Sequence, residues 1–137
     1  MYDAELSQAM AGRYEITHVG HLLHVVLSGN WDLALEIKYL TDLASAIDAV
    51  RHNPWGMLVD MREWKLPSVT DESIKENLAN VHISRGNQRC ECWIVRDEAQ
   101  ASQLQPFVEN TPGMSFCRVS TPQQAEEFLT SKGFELN

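Results

Sequence analysis

The stretch Trp55-Gly56-Met57-Leu58-Val59-Asp60-Met61-Arg62-Glu63-Trp64 decides the reading of the fold. Gly56 to Asp60 is mostly apolar and follows Asn53-Pro54, where a preceding helix must stop. Such a run reads as a strand buried on both faces, the habit of parallel sheets in α/β proteins. It closes on a carboxylate, an arginine and a tryptophan, with a helix expected next. That places Asp60, Arg62 and Trp64 at the edge of an open sheet. Ligands and partners meet such sheets beyond the carboxyl ends of their strands. The stretch therefore points to a fold and to a functional edge, and names no reaction.

Upstream, residues 2–11 space Tyr2, Leu6 and Met10 four apart, the interval of a short helix. Arg13 to Val19 alternates, with Tyr14, Ile16 and His18 on one face. Gly20-His21 reads as a turn, and His21 to Ser28 as a second, nearly continuous apolar strand. Gly29 breaks it, and Asn30 is the expected N-cap of a helix with Asp32 in its first turn. Leu33, Ile37, Leu40, Ala44 and Ile47 recur at helical spacing and predict its inner face.

Downstream, Leu66 to Val69 reads as a loop. Thr70 is the expected cap of a helix with inner residues Ile74, Leu78 and Val81, closed by Gly86-Asn87. Cys90 to Val95 is a strand. Ala101, Leu104 and Phe107 or Val108 mark a short helix, Thr111-Pro112-Gly113 a turn, and Met114 to Val119 a last strand. Thr121, Pro122 and Gln124 match a capping box with proline at the first helical position, and Gly133 ends that helix. The order is ββαβαβαβα. It predicts an α/β fold with a mixed, largely parallel sheet of about five strands, right-handed crossovers and packed helices. The first two strands form an antiparallel hairpin.

The 137 residues fit one domain, over 13–137, with 1–12 as an N-terminal extension or short helix. A content of 44% hydrophobic and 22% charged residues is that of a globular chain. The net charge of −8, with no basic patch, argues against nucleic acid as a partner. Three cysteines do not make a disulfide framework. The first residues do not resemble a signal peptide, and no run reaches the roughly 20 apolar residues of a membrane span. The expectation is a soluble, cytoplasmic protein with no integral membrane segment.

Leu27-Ser28-Gly29-Asn30-Trp31-Asp32, Met57-Leu58-Val59-Asp60-Met61 and the closing Gln123-Gln124-Ala125-Glu126-Glu127-Phe128-Leu129, together with the element order, resemble the STAS domains. The nearest likeness is to the SpoIIAA-like single-domain bacterial proteins, a largely uncharacterised branch. The likeness spans the chain from about residue 13. It implies a SpoIIAA-like sheet and a regulatory role like that of the anti-anti-sigma factors. Those domains carry a phosphorylated serine in an Asp-Ser-Ser-Gly motif at the start of their second helix. The matching segment here is Pro67-Ser68-Val69-Thr70-Asp71, which makes Thr70, then Ser68, the candidate phospho-acceptors. The motif's aspartate and glycine are absent. Asp71 and Glu72 would repel a phosphate there, partly offset by the helix terminus.

Two readings compete for the charged edge. In one, Asn30, Trp31, Asp32, Asp60, Arg62 and Trp64 form a binding cluster, since arginine and aromatic groups dominate recognition surfaces. In the other, Asp60 caps a loop, Arg62 neutralises it and the tryptophans cover the rim of the core. Cys90 and Cys92 lie two apart on a strand and read as buried structural thiols. His18, His21, His24, His52 and His82 show no metal-ligand spacing, and no phosphate-binding glycine loop is present. No metal, cofactor or catalytic residue is expected.

The expected function is a non-enzymatic regulatory or protein-binding module. The alternative is carriage of a small apolar ligand or lipid in a cleft lined by Trp31, Trp64 and Phe107. An enzyme is the weakest reading. A homodimer is expected, with Tyr2, Leu6 and Met10 packing on their own domain or on a second copy.

Overall fold

In the computed structural model the described residues are 11–65, 85–105 and 113–136. The chain reverses first at Gly20, whose φ of +62° suits the first position of a two-residue hairpin turn. The turn joins β1 (Arg13–Val19) to β2 (Leu22–Asn30) in antiparallel register, Val19 opposite Leu22 and Arg13 opposite Ser28. Then follow α1 (Leu33–Val50), β3 (Trp55–Lys65), β4 (Gln88–Ile94), α2 (Glu98–Leu104), β5 (Ser115–Val119) and α3 (Pro122–Ser131). The five strands stand in the order β1-β2-β3-β4-β5, and β2 to β5 run parallel. The mixed, largely parallel sheet read from the sequence is present. Of the helix expected over 2–11 only Ala11 is described, and it bridges to Asn30; the helix expected from Thr70 begins outside the described residues, where Phe107 and Val108 also lie.

The sheet divides the interior into two layers. On one side Leu23, Val25, Met57, Val59 and Trp93 meet Tyr39, Leu43 and Ile47 of α1 and Ala101 and Leu104 of α2. On the other, Leu22, Leu58, Cys90, Cys92 and Ile94 meet Ala125 and Leu129 of α3. Each fully buried large side chain contributes about 1.5–3 kcal/mol. α3 starts on a complete capping box: Thr121 accepts from the Gln124 backbone N–H, and the Gln124 side chain accepts from the Thr121 backbone N–H. Its early residues and stop are as the sequence implies.

The boundaries at the ends of β2 and β3 differ from the sequence reading. β2 begins at Leu22 rather than His21 and runs on to Asn30, so Asn30 is strand and not cap. The N-cap of α1 is Asp32, whose Oδ1 accepts from the Leu35 N–H at 2.8 Å. β3 does not stop at Asp60 but continues to Lys65. Its register against β2 steps from Val26/Asp60 to Ser28/Glu63, so β3 carries an extra residue there, a bulge. The bulge resets the alternation, and Met61 and Trp64, three apart, both face the α1 layer.

Two glycines hold the end of β2 against the chain entering β1. Gly29 has φ +77°, and a Cβ there would lie 2.1 Å from the Ala11 carbonyl oxygen. A Cβ on Gly12 would lie 2.6 Å from the Asn30 carbonyl oxygen. This crossing gives the Ser28-Gly29-Asn30 segment a packing reason.

A buried polar knot sits at the start of β4. Glu91, 2% exposed, accepts from Arg85 at 2.8 Å, Gln88 at 3.0 Å and the Trp93 indole at 2.6 Å. The Trp55 indole N–H in turn donates to the Arg85 carbonyl at 2.7 Å. Both carboxylate oxygens and two indoles are thus satisfied within the core, as buried polar groups require.

Candidate functional site

Because β2, β3 and β4 are parallel, their carboxyl ends share one side of the sheet, where α1 and α2 begin. Asp32 caps α1, and Asp97 caps α2 by accepting from the Gln100 N–H at 3.0 Å. The ends are stitched together. The Trp31 N–H donates to the Lys65 carbonyl at 3.1 Å, and Gln100 Nε2 donates to the Trp64 carbonyl at 3.1 Å. Arg96 and Glu63 form an exposed ion pair at 2.7 Å across them.

The six residues expected to form one cluster fall into three groups. Asn30 and Asp32 are exposed at the edge. Trp31 and Trp64 lie beneath it, 3% and 7% exposed, with ring centroids 5.6 Å apart in an edge-to-face contact. Trp31 also packs edge-on against Tyr39 at 5.3 Å, and its indole donates to the Ser28 carbonyl at 2.8 Å. Asp60 and Arg62 lie on the opposite face of β3 from Val59 and Met61, away from both tryptophans. There Arg62 grips Asp60 twice, Nε to Oδ1 at 3.0 Å and a terminal nitrogen to Oδ2 at 2.7 Å. Burial alone would raise the Asp60 carboxyl. The Arg62 hydrogen bonds and charge, with His24 nearby, hold it below its ordinary value instead. Asp60 and Arg62 are thus strand residues paired with each other, and not a loop at the edge. Ser68 and Thr70 lie outside the described residues.

The edge contains three residues the sequence reading did not assign to it. Leu33 and Ile37, expected inside, are 40% and 50% exposed on the first turns of α1. Glu36 between them is only 2% exposed, and among the described residues neither carboxylate oxygen has a hydrogen-bond partner. Burial pushes its carboxyl up to about 7. The Trp64 indole N–H is likewise buried without a partner among the described residues. The helix buries Glu36, Tyr39, Leu40, Leu43, Ala46, Ile47 and Val50. That stripe was readable: Tyr39, Leu43, Ala46 and Val50 recur at helical spacing and compete with Leu33, Ile37 and Ala44 for the same helix. Nothing in the sequence marks Glu36 as buried.

The thiols of Cys90 and Cys92 share one face under α3, as expected. Burial pushes them up to about 11 and about 12, which keeps them protonated and unreactive at neutral pH. Among the described residues no group of three His, Cys, Asp or Glu side chains is placed to hold a metal. Among them, too, no helix is long and apolar enough to cross a membrane. No protein-family model matches the chain, and no curated protein matches it.

Proposed function

We propose that this chain is a non-enzymatic binding module that docks a partner protein at the carboxyl edge of its sheet, in a regulatory role of the kind its likeness to STAS domains implies. The observation that carries this reading is the exposure of Leu33 and Ile37 beside Asn30 and Asp32. Two large aliphatic side chains bare at an edge, rimmed by polar groups, are a recognition feature. The buried tryptophans support this surface from below. A photo-crosslinking amino acid at position 33 or 37, in the native host, tests the reading. A discrete protein adduct is expected there and not from exposed Glu126 on α3. Equal labelling at all three positions would overturn it.

A second reading, a small apolar ligand with a polar head, is favoured by one observation. The Glu36 carboxyl and the Trp64 indole N–H are both buried at this edge without partners among the described residues. Such groups need hydrogen bonds, and a hydroxyl or amide head offers both a donor and an acceptor. Native mass spectrometry of protein from its host should then show an added mass that Glu36→Leu abolishes.

A further inference from the structure

The outermost strand offers a different surface. β1 pairs with β2 on one side, and among the described residues nothing pairs with its other side. The two-residue turn determines which backbone groups face outward. Val19 and Leu22 close the hairpin, so the hydrogen-bonded pairs are Val19–Leu22, Thr17–His24, Glu15–Val26 and Arg13–Ser28. The N–H and C=O groups of Tyr14, Ile16 and His18 therefore point away from the sheet. The side chains of the same three residues line an open groove of about 410 Å³, whose other wall is Asp42, Ser45 and Ala46 of α1. The groove is bracketed by two contacts. The Tyr14 hydroxyl donates to Asp42, and His18 Nε2 lies 3.4 Å from the Ala46 carbonyl oxygen. Ile16, half-buried against the core, makes the floor. The register of β1 is unbroken and its seven residues include no proline. Sheets usually blunt an edge of this kind.

We infer that β1 and the groove beside it are a docking site for an extended peptide segment of a partner protein, which adds to the sheet as a further strand. Backbone hydrogen bonds to Tyr14, Ile16 and His18 supply affinity, and alternate side chains entering the groove supply specificity. The segment it fits carries an apolar and a basic side chain two residues apart, so that both enter the groove from one face, the apolar one resting on Ile16 and the cation facing Asp42. A chain of net charge −8 attracts such a segment and repels a second copy of itself. The inference goes beyond the edge reading, since it uses a different surface and stands if that reading fails.

The test is a titration of the isotope-labelled full chain, followed by amide NMR shifts, with a capped heptapeptide whose first, third, fifth and seventh residues alternate lysine and valine and whose other residues are threonine. Two controls accompany it: the valine–glutamate counterpart, and the lysine peptide N-methylated at alternate residues. Shifts are expected at the amides of Tyr14, Ile16 and His18, with the lysine peptide binding roughly tenfold more tightly than either control. Ser45 is exposed, so Ser45→Arg fills the groove and offsets the Asp42 charge without touching the core. It should weaken binding at least roughly tenfold at an unchanged melting temperature. The inference is overturned by shifts that avoid β1, by equal binding of the N-methylated peptide, or by wild-type affinity in Ser45→Arg. A dimer in sedimentation that protects the β1 amides without peptide would give this edge to a second copy and also overturn it.

Discussion

Replacing Glu36 with glutamine removes a charge that the folded chain must hold out of water. A glutamate in an unfolded chain ionises near 4.5, and burial pushes this one to about 7. The gap of about 2.5 pH units corresponds to about 3 kcal/mol at most. The folded state prefers the protonated form. Below the unfolded value both states carry the proton, and the group costs nothing. Between the two values the unfolded chain has released its proton and the folded chain has not. Stability therefore falls as pH rises, by up to about 1.4 kcal/mol per unit, and levels off above the folded value. Between pH 5 and pH 8 the wild type should lose about 2.5 kcal/mol through this residue alone. Glu36→Gln keeps the shape and the unmet polarity but not the titration. Urea unfolding followed by tryptophan fluorescence at several pH values measures the difference. The variant should gain less than about 1 kcal/mol at pH 5 and about 3 kcal/mol at pH 8. Asp60 titrates below this window because its carboxyl is lowered, so it does not enter the difference. If the two proteins keep parallel pH profiles, Glu36 is not buried without a partner, and the reasoning about this edge fails.

Gly29→Ala should destabilise by more than about 1–2 kcal/mol in thermal melts, since its φ of +77° strains any side chain and a Cβ would strike the Ala11 carbonyl. A smaller loss would mean that the crossing at Gly12 and Gly29 is loose. Arg85→Met strips the buried Glu91 of its cation and should cost about 3–5 kcal/mol in urea unfolding. Adding Glu91→Met should recover much of that loss, and failure to recover would place the cost in packing instead. Cys90 and Cys92 should resist a thiol reagent at pH 8 in the folded protein and react on unfolding, because burial raises both thiols. Prompt labelling of either would contradict their place under α3.

What could be read from the sequence was what local chemistry or strict periodicity decides. Thr121, Pro122 and Gln124 interact only within one turn, so the start of α3 needs no tertiary information. The apolar run after Pro54 marks β3 because a strand buried on both faces has no polar side to display. Its end was not legible. The bulge between Val26/Asp60 and Ser28/Glu63 shifts the alternation by one, so Arg62 and Trp64 look like a loop leaving the sheet. The same shift separates Asp60 and Arg62 from Trp64. The expected single cluster becomes an ion pair on one face and an aromatic stack on the other. The face of α1 was misjudged for another reason. Two stripes share Leu40 and Ile47, and choosing between them requires knowing which large side chains the sheet accepts.

The magnitudes show what this choice means for the edge. Tyr39, Leu43, Ile47 and Val50 are all buried. At about 1.5–3 kcal/mol each, they outweigh the cost of exposing Leu33 and Ile37 and of burying one carboxyl. The rotation of α1 is therefore decided by its later turns, and its first turn must accept whatever faces that rotation produces. The rotation does not require an acid at position 36. A leucine there would fold at least as well, and a polar residue at 33 or 37 would cost the fold little. Natural sequences are locally consistent with their folds except where another demand intervenes. Here the inconsistencies gather within one helical turn, at the end of a parallel sheet where partners and ligands are met. The fold does not require those residues, and the docking role proposed for this edge would account for them.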